Sequence, residues 1–449
     1  MTARRRLLLV TYYFPPSGGS GVQRPLKFVK YLPGFGWDPV VLTVRETAAF
    51  PARDEALKGD VPEGIEVHRT PIPEPHRLFA RLSGAAAGET VDVDTAARWD
   101  RLGPRARLLA KLRGAFFLPD ARVGWWPFAA AKALSLHGRK PFDAVLTTAP
   151  PFTTHLIGRF LSRSWRRPWI ADSRDPWTRA PFYAPRPRPS AALDRWIEGV
   201  CLRAADANVV AFPAIAREFL EDHPDLDPDR IEVITNGYDP DDFAGPAPPR
   251  EERFTIVHSG SLFANRRPET FFRILGERIA DLPSLAEKIR LVFVGRLDGD
   301  TRRLLGRPPF DRIADLRGYA THGESIAWIR RGHLLLLPIG AGPEAFGHLP
   351  GKLFEYLASG TPLLVTAAPD GAAARVVEET GSGWTLHPDD AEGLRSLLES
   401  AWSAHSGGRI LETPRKEGAI SLYSRKSLTG RLAEILNRAV ETRGRTPSP

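Results

Sequence analysis

At 449 residues the chain is longer than one hydrophobic core usually serves, so two domains of about 200 residues each are expected. The net charge of +9 favours phosphate-bearing or anionic partners, although an arginine-rich, lysine-poor composition accounts for the sign equally well. Cys201 is the only cysteine, which excludes an intramolecular disulfide and any cysteine-built metal cluster within one chain, and suits a reducing compartment.

The first apolar run, residues 7–11, is too brief for a secretory segment and reads as a buried strand. No stretch approaches the roughly 20 apolar residues that cross a bilayer. A cytoplasmic protein is expected, with any membrane contact peripheral, at the inner face of the cell membrane. A glycine-bearing loop at 12–21 leads to a predicted helix at 22–32 and a strand at 39–44. Further strands are predicted at 144–147, 169–172, 208–211 and 232–235, with helices at 127–137, 153–163 and 190–205. Such alternation predicts a parallel, doubly wound α/β sheet.

One stretch departs from it. Residues 83–98 are small and polar, and 105–118 then combines Arg105, Arg107, Lys111 and Arg113 with Leu108, Leu109, Leu112, Phe116 and Phe117. This is the pattern of a basic amphipathic helix, suited to an anionic membrane surface or to an ordinary place with one face in a core.

Residues 238–253 are acidic and rich in Pro and Gly, the composition of a linker between a first domain at 1–240 and a second at 253–423. The second domain's strands are predicted at 255–258, 291–294, 314–316, 334–337 and 363–366, and its helices at 268–280, 322–331, 352–358 and 371–379. Within 424–449, an amphipathic segment at 424–440 is expected to cross back to the first domain.

Four segments carry candidate chemistry. In the first, Gly18 and Gly19 lie between a strand and a helix, where backbone and helix N-terminus can approach a phosphate, although a tight turn has the same composition. The segment lacks the G-x-G-x-x-G spacing and the P-loop lysine, which argues against dehydrogenase and P-loop chemistry. In the second, Asp172, Arg174 and Asp175 precede Trp177 at the end of a predicted strand. They suit either a catalytic set, with a carboxylate orienting an acceptor hydroxyl and Arg174 facing phosphate charge, or an internal ion pair. Pro150 leaves the neighbouring strand and His155 follows on the next helix; with Trp177 they are the candidate acceptor contacts. The third segment places Gly260 and Ser261 at a strand end and Arg266 and Arg267 before a helix. In the fourth, Lys352 occupies the first turn of a helix that carries Glu355 and stops at Gly360; a lysine there is electrostatically misplaced unless an anion joins it.

Together these segments resemble the family 4 glycosyltransferases, and within them a bacterial subgroup with YYFPP, RDPW and K-x-x-E-Y-L motifs. The likeness runs over nearly the whole chain. It implies a GT-B fold: two Rossmann-like doubly wound domains facing across a cleft, with a nucleotide sugar, UDP- or GDP-linked, bound mainly by the second and a glycan, lipid-linked or cell-envelope acceptor mainly by the first. It implies transfer with retention of configuration, the departing phosphate taking the acceptor proton, and no resident metal or cofactor. By position, Glu355 corresponds to the second carboxylate of the family's E-x7-E motif, and the first is replaced by Gly347, with Glu344 three residues earlier. Arg266 falls where the family has a pyrophosphate-binding lysine. Ser261 falls where it has an arginine, so that one cation is lost and Arg267 or Lys352 replaces it. Asp239, Asp241 and Asp242 imitate a metal-binding D-x-D but are read as turn and cap residues.

Two other readings fit the same residues: a sugar-nucleotide epimerase, and a non-catalytic sugar-nucleotide-binding protein, the latter favoured by Gly347. No nucleic-acid-binding module or stacking pattern is present, so no nucleic acid partner is expected.

Overall fold

A computed structural model of the chain describes residues 4–48, 50, 53–73, 114, 115, 117–180, 186–263 and 266–445. The amphipathic stretch 105–118 falls largely outside these residues. The chain forms two compact units, residues 1–235 with 428–449, and residues 236–427.

In the first unit, β1 (Arg5–Thr11), β2 (Trp37–Val44), β3 (Val67–Thr70), β4 (Ala144–Ala149), β5 (Trp169–Ser173), β6 (Ala207–Val210) and β7 (Ile231–Val233) form one parallel sheet in the order β3-β2-β1-β4-β5-β6-β7. Central strands of such a sheet are covered on both faces. Accordingly every residue of β4 and β5 is buried, and the sequence there reads as a run rather than an alternation. The helices α1 (Ser20–Tyr31), α2 (Trp126–Arg139), α3 (Thr153–Trp165), α4 (Arg188–Ala204) and α5 (Pro213–Asp222) connect the strands. The order reverses between β1 and β4, so the loops leaving their carboxyl ends flank the crevice where open sheets of this kind bind ligands.

The second unit repeats the plan with β8 (Phe254–Ser259), β9 (Ile289–Val294), β10 (Ala314–Gly318), β11 (Leu334–Gly340), β12 (Leu363–Ala367) and β13 (Gly383–Leu386), all parallel, in the order β10-β9-β8-β11-β12-β13. Its helices are α6 (Glu269–Asp281), α7 (Gly299–Leu305), α8 (His322–Arg331), α9 (Gly351–Ser359), α10 (Ala372–Thr380) and α11 (Ala391–Ser406), with single turns at Pro343–Phe346 and Glu417–Ser421. Here the switch lies between β8 and β11.

The last helix, α12 (Arg425–Arg445), begins where the Arg425 backbone N–H donates to Tyr238 O in the second unit. It continues with Leu428, Leu432, Ile435 and Leu436 in the buried core that holds Leu7, Leu9, Phe28 and Val41 of the first.

Several elements escaped the sequence reading. The short edge strands β3 and β13 contain hardly any buried residue, so neither shows an apolar run, whereas β10, expected at 314–316, forms although none of its residues is fully buried. Helix α11 carries Gly393 in its first turn, where glycine disfavours helix. It is secured by the Asp390 carboxylate accepting from Gly393 N at 2.9 Å and by Leu394, Leu397 and Ala401 in the core.

Candidate active site

In the first unit the 12–19 loop leaves β1 and ends at Gly19, whose φ of 88° lies in the region that favours glycine. Gly19 occupies the N-cap of α1 and no side chain caps that helix, so its first N–H groups are not consumed by a capping side chain. Gly18 is buried beside it.

Asp172, one residue before the end of β5, does not face outward. Arg24, from α1, holds it through Nη2 at 2.6 Å and Nε at 3.0 Å, and Thr148 Oγ1 donates to it at 2.7 Å. Both Arg24 and Asp172 are 0 % exposed, so the expectation that Asp172 meets an acceptor is corrected: it is the anionic half of a fully buried ion pair. The same arginine donates from Nη1 to Thr235 O at 2.8 Å, fastening the last residue of the unit's first stretch.

Arg174 is corrected in the same sense. Its Nε donates to Ala149 O at 3.0 Å, Nη2 to Pro150 O at 2.5 Å and Nη1 to Gly21 O, so the guanidinium ties three backbone carbonyls together instead of presenting charge to a phosphate. Burial drives its pKa down, with Asp175 and Asp172 acting against that. A Cβ on Gly21 would stand 2.8 Å from Nη1, so a side chain there displaces the guanidinium. Through Arg174 the first loop and the loop after β4 become one assembly, and Pro150 contributes its carbonyl to it.

Asp175 differs from its neighbours. It is half-buried, and burial raises the pKa of its carboxyl although the adjacent Arg174 charge lowers it. Among the three residues expected to be catalytic, it is the least buried.

Two expected acceptor contacts are buried. His155 is 0 % exposed, with Nδ1 2.8 Å from Thr147 Oγ1 and Nε2 3.1 Å from Ser173 Oγ, and burial pushes it down to about 3, so it stays neutral. Trp177, also fully buried, stacks on Phe152 at 4.5 Å and donates from Nε1 to Asp194 at 3.2 Å. Both stiffen the wall behind the loops rather than form its surface.

In the second unit, Gly260 follows β8 with a φ of 137°, its N–H donating to Val294 O at 2.7 Å. Ser261 and Arg266 are exposed. The Arg266 charge acts on His348, in the loop after β11, so these two switch-point loops converge. Arg267 is turned to Glu269, with Nε 2.5 Å from its Oε1. Lys352, in the first turn of α9, donates from Nζ to Glu355 Oε2 at 3.0 Å and Ser325 Oγ at 3.3 Å. Ser325 Oγ lies 2.5 Å from Ser259 Oγ, and Tyr356 OH accepts from Ser259 N at 2.6 Å, locking β8, α8 and α9 at this corner.

His258 sits beneath. Its Nδ1 must be protonated, because it lies 3.0 Å from Leu336 O, and burial and the Lys352 charge press the ring down to about 4. It is therefore neutral. Asp239 accepts from Asp241 N at 3.1 Å as the cap of a single turn, Pro240–Phe243. Asp242 Oδ2 is 2.8 Å from His322 Nε2 at the start of α8. Among the described residues no group of three or more His, Cys, Asp or Glu is placed to hold a metal, and no helix is long and apolar enough to cross a membrane.

Sequence reasoning placed Lys352 and Glu355 on one helix, where they meet, but did not single out Arg24, His322 or Ser325. The T-x-x-E of Thr321 and Glu324, a capping box in the structure, marks where α8 begins and thus places His322 and Ser325 at the site. Arg24 has no comparable signal.

Family models match both units: a "Glycosyl transferase 4-like domain" over residues 18–237 and "Glycosyl transferases group 1" over 253–403. No protein of curated function matches the chain in sequence. Among solved structures the chain is similar to sucrose-phosphate synthase from Thermosynechococcus elongatus, at 14% identity and a TM-score of 0.61, over 98% of this chain and 100% of that one. It is also similar to the α,α-trehalose 6-phosphate synthase of Burkholderia multivorans, at 14% identity and 0.59, over 99% of each chain. A third is Anabaena HepE, solved in complex with UDP-glucose, at 13% identity and 0.54, over 98% and 99%. At such identities the structures speak for the fold alone, which is GT-B. The two family matches, one on each unit, and this fold together identify the chain as a group 1 glycosyltransferase.

Proposed function

We propose that the protein moves a sugar from a UDP- or GDP-linked donor to a glycan, lipid-linked or cell-envelope acceptor, with retention of configuration and without a resident metal or cofactor. The observation that carries this reading is the corner of the second unit, where Lys352 stands in the first turn of α9 against Glu355 and Ser325. An ammonium and a helix N-terminus are both positive, and a diphosphate satisfies the two at once. Arg266, brought to the same loops, adds a second cation, and Glu355 is the acceptor for ribose hydroxyls.

On the first unit, Asp175 accepts from and orients the acceptor hydroxyl, while Arg174 keeps the two loops around it in register. The departing phosphate takes the acceptor proton, so cationic stabilisation and positioning outweigh general-base catalysis. A cytoplasmic enzyme working peripherally at the inner face of the membrane, through 105–118, belongs to the same reading. Gly347, in place of a carboxylate, favours a second one: a protein that binds nucleotide sugars without turning them over.

Melting midpoints measured with UDP, GDP, ADP and their sugar conjugates test the site, because ligand bound to the native state raises the midpoint. A shift for one nucleotide, abolished in Glu355→Ala and reduced in Arg266→Ala, is the expected result. Donor consumption only when an acceptor extract is added separates a transferase from a binding protein, and donor converted without acceptor would indicate an epimerase.

A further inference from the structure

The family resemblance implies an arginine at the position of Ser261, and this chain has one cation fewer there. Four nearby groups have been described. Lys352 and Arg266 already belong to the site, Arg267 is turned to Glu269, and His258 is neutral. His348, beside Arg266, is pressed down to about 4 by burial and is neutral as well, and His322 is a further basic group at this corner.

His322 occupies the first position of α8, and Ser325 lies one turn on, on the same face. Because Ser325 Oγ is 3.3 Å from Lys352 Nζ, His322 is on the side of the helix that looks to the phosphate corner. Its ring is held by Asp242, with Nε2 2.8 Å from Oδ2. A carboxylate only accepts, so Nε2 carries a proton and the opposite nitrogen, Nδ1, is the one whose protonation can vary. We propose that His322, held by Asp242, is a cationic contact to the phosphates of the donor nucleotide, taking the place of the arginine absent at Ser261. The proposal rests on the donor-binding reading given above and deepens it.

The charged and titratable groups around the ring are consistent with this role. The turn Pro240–Phe243 offers Asp242; α9 offers Lys352 and Glu355; β8 offers only the neutral His258; and on α8 itself Glu324 is tied to Thr321. Burial lowers the imidazole's pKa, but the hydrogen bond to Asp242 and the charge of Glu355 outweigh burial and the opposing Lys352, so the net direction is upward. The cationic form is therefore favoured as pH falls, and the contact fades as pH rises through the histidine's own pKa.

The test is calorimetric titration of the full chain with UDP and with GDP between pH 6 and pH 9 at constant ionic strength, using wild type, His322→Gln, His322→Lys and Asp242→Asn. The wild type is expected to bind its nucleotide about tenfold more tightly than His322→Gln at pH 6, with the ratio falling towards one at pH 9. His322→Lys restores the affinity without that pH-dependent ratio, and Asp242→Asn moves the fall to lower pH. In the wild type, saturating nucleotide raises the pH at which the His322 imidazole titrates by NMR, with His322→Gln identifying the signal. Nucleotide binding with the same wild-type to His322→Gln ratio at every pH, or an imidazole titration that ligand leaves unmoved, overturns the proposal and spares the donor reading. No binding of either nucleotide to the wild type overturns both.

Discussion

Arg24 and Asp172 form an ion pair from which water is wholly excluded, joined at 2.6 Å through Nη2 and at 3.0 Å through Nε. Removing one member strands the other's charge in the core, which costs about 3–5 kcal/mol, whereas replacing both by apolar residues of similar volume is far milder. We expect Arg24→Met and Asp172→Asn each to lower the first unit's stability by that amount, and Arg24→Met with Asp172→Leu to cost less than the sum. Urea unfolding of the singles and the double checks it.

Arg174→Lys keeps the charge but replaces a fork that reaches three carbonyls with a single ammonium. The two loops it ties then drift, and displacements of about 1 Å reduce turnover by about 100-fold. The expected result is a fall of that order in kcat/KM for transfer with nucleotide affinity unchanged, measured by product formation and calorimetry on the same samples.

His155 titrates at about 3 in the folded chain, well below an unfolded histidine near 6.5. A depressed pKa gives stability that is present above the unfolded value and drains away as pH falls toward the folded one. His155→Gln should therefore be less stable than wild type at pH 7 yet lose less on acidification, by about 1.4 kcal/mol per pH unit between pH 6 and pH 4. Denaturant midpoints at three pH values reveal whether the two slopes differ.

Gly295, at the end of β9, has a φ of 134°, and a Cβ there would lie 2.2 Å from Gly260 O. Gly295→Ala must push the Gly260 loop away from the phosphate corner. Nucleotide affinity is expected to fall at least tenfold with a melting midpoint lowered by several degrees, and an unaltered affinity would show that this loop does not touch the nucleotide.

The two parallel sheets and most of their helices were legible because buried central strands such as β11 and β12 are nearly unbroken apolar runs and because helices α9 and α10 stop at glycines. Lys352 and Glu355 could be read as a pair since they lie three residues apart on one helix. The ion pair of Arg24 and Asp172 could not, because 148 positions separate its members and only the sheet's order brings them together. Asp172, His155 and Trp177 looked like surface chemistry for the opposite reason. Their sequence neighbourhood ends strands and starts helices, but polar partners such as Thr148, Ser173 and Asp194 allow them to be buried.

The crossing of α12 from one unit to the other has a consequence for the order in which the molecule is made. Leu428, Leu432 and Leu436 follow Leu7 and Leu9 by more than 400 positions, yet they share one buried core with them. The unit that holds Leu7 and Leu9 therefore keeps an apolar flank uncovered until residues 428–436 are made, while the second unit, contiguous from 236 to 427, has every residue it needs shortly before. Vectorial synthesis thus favours the later-encoded unit folding first, the reverse of the usual order.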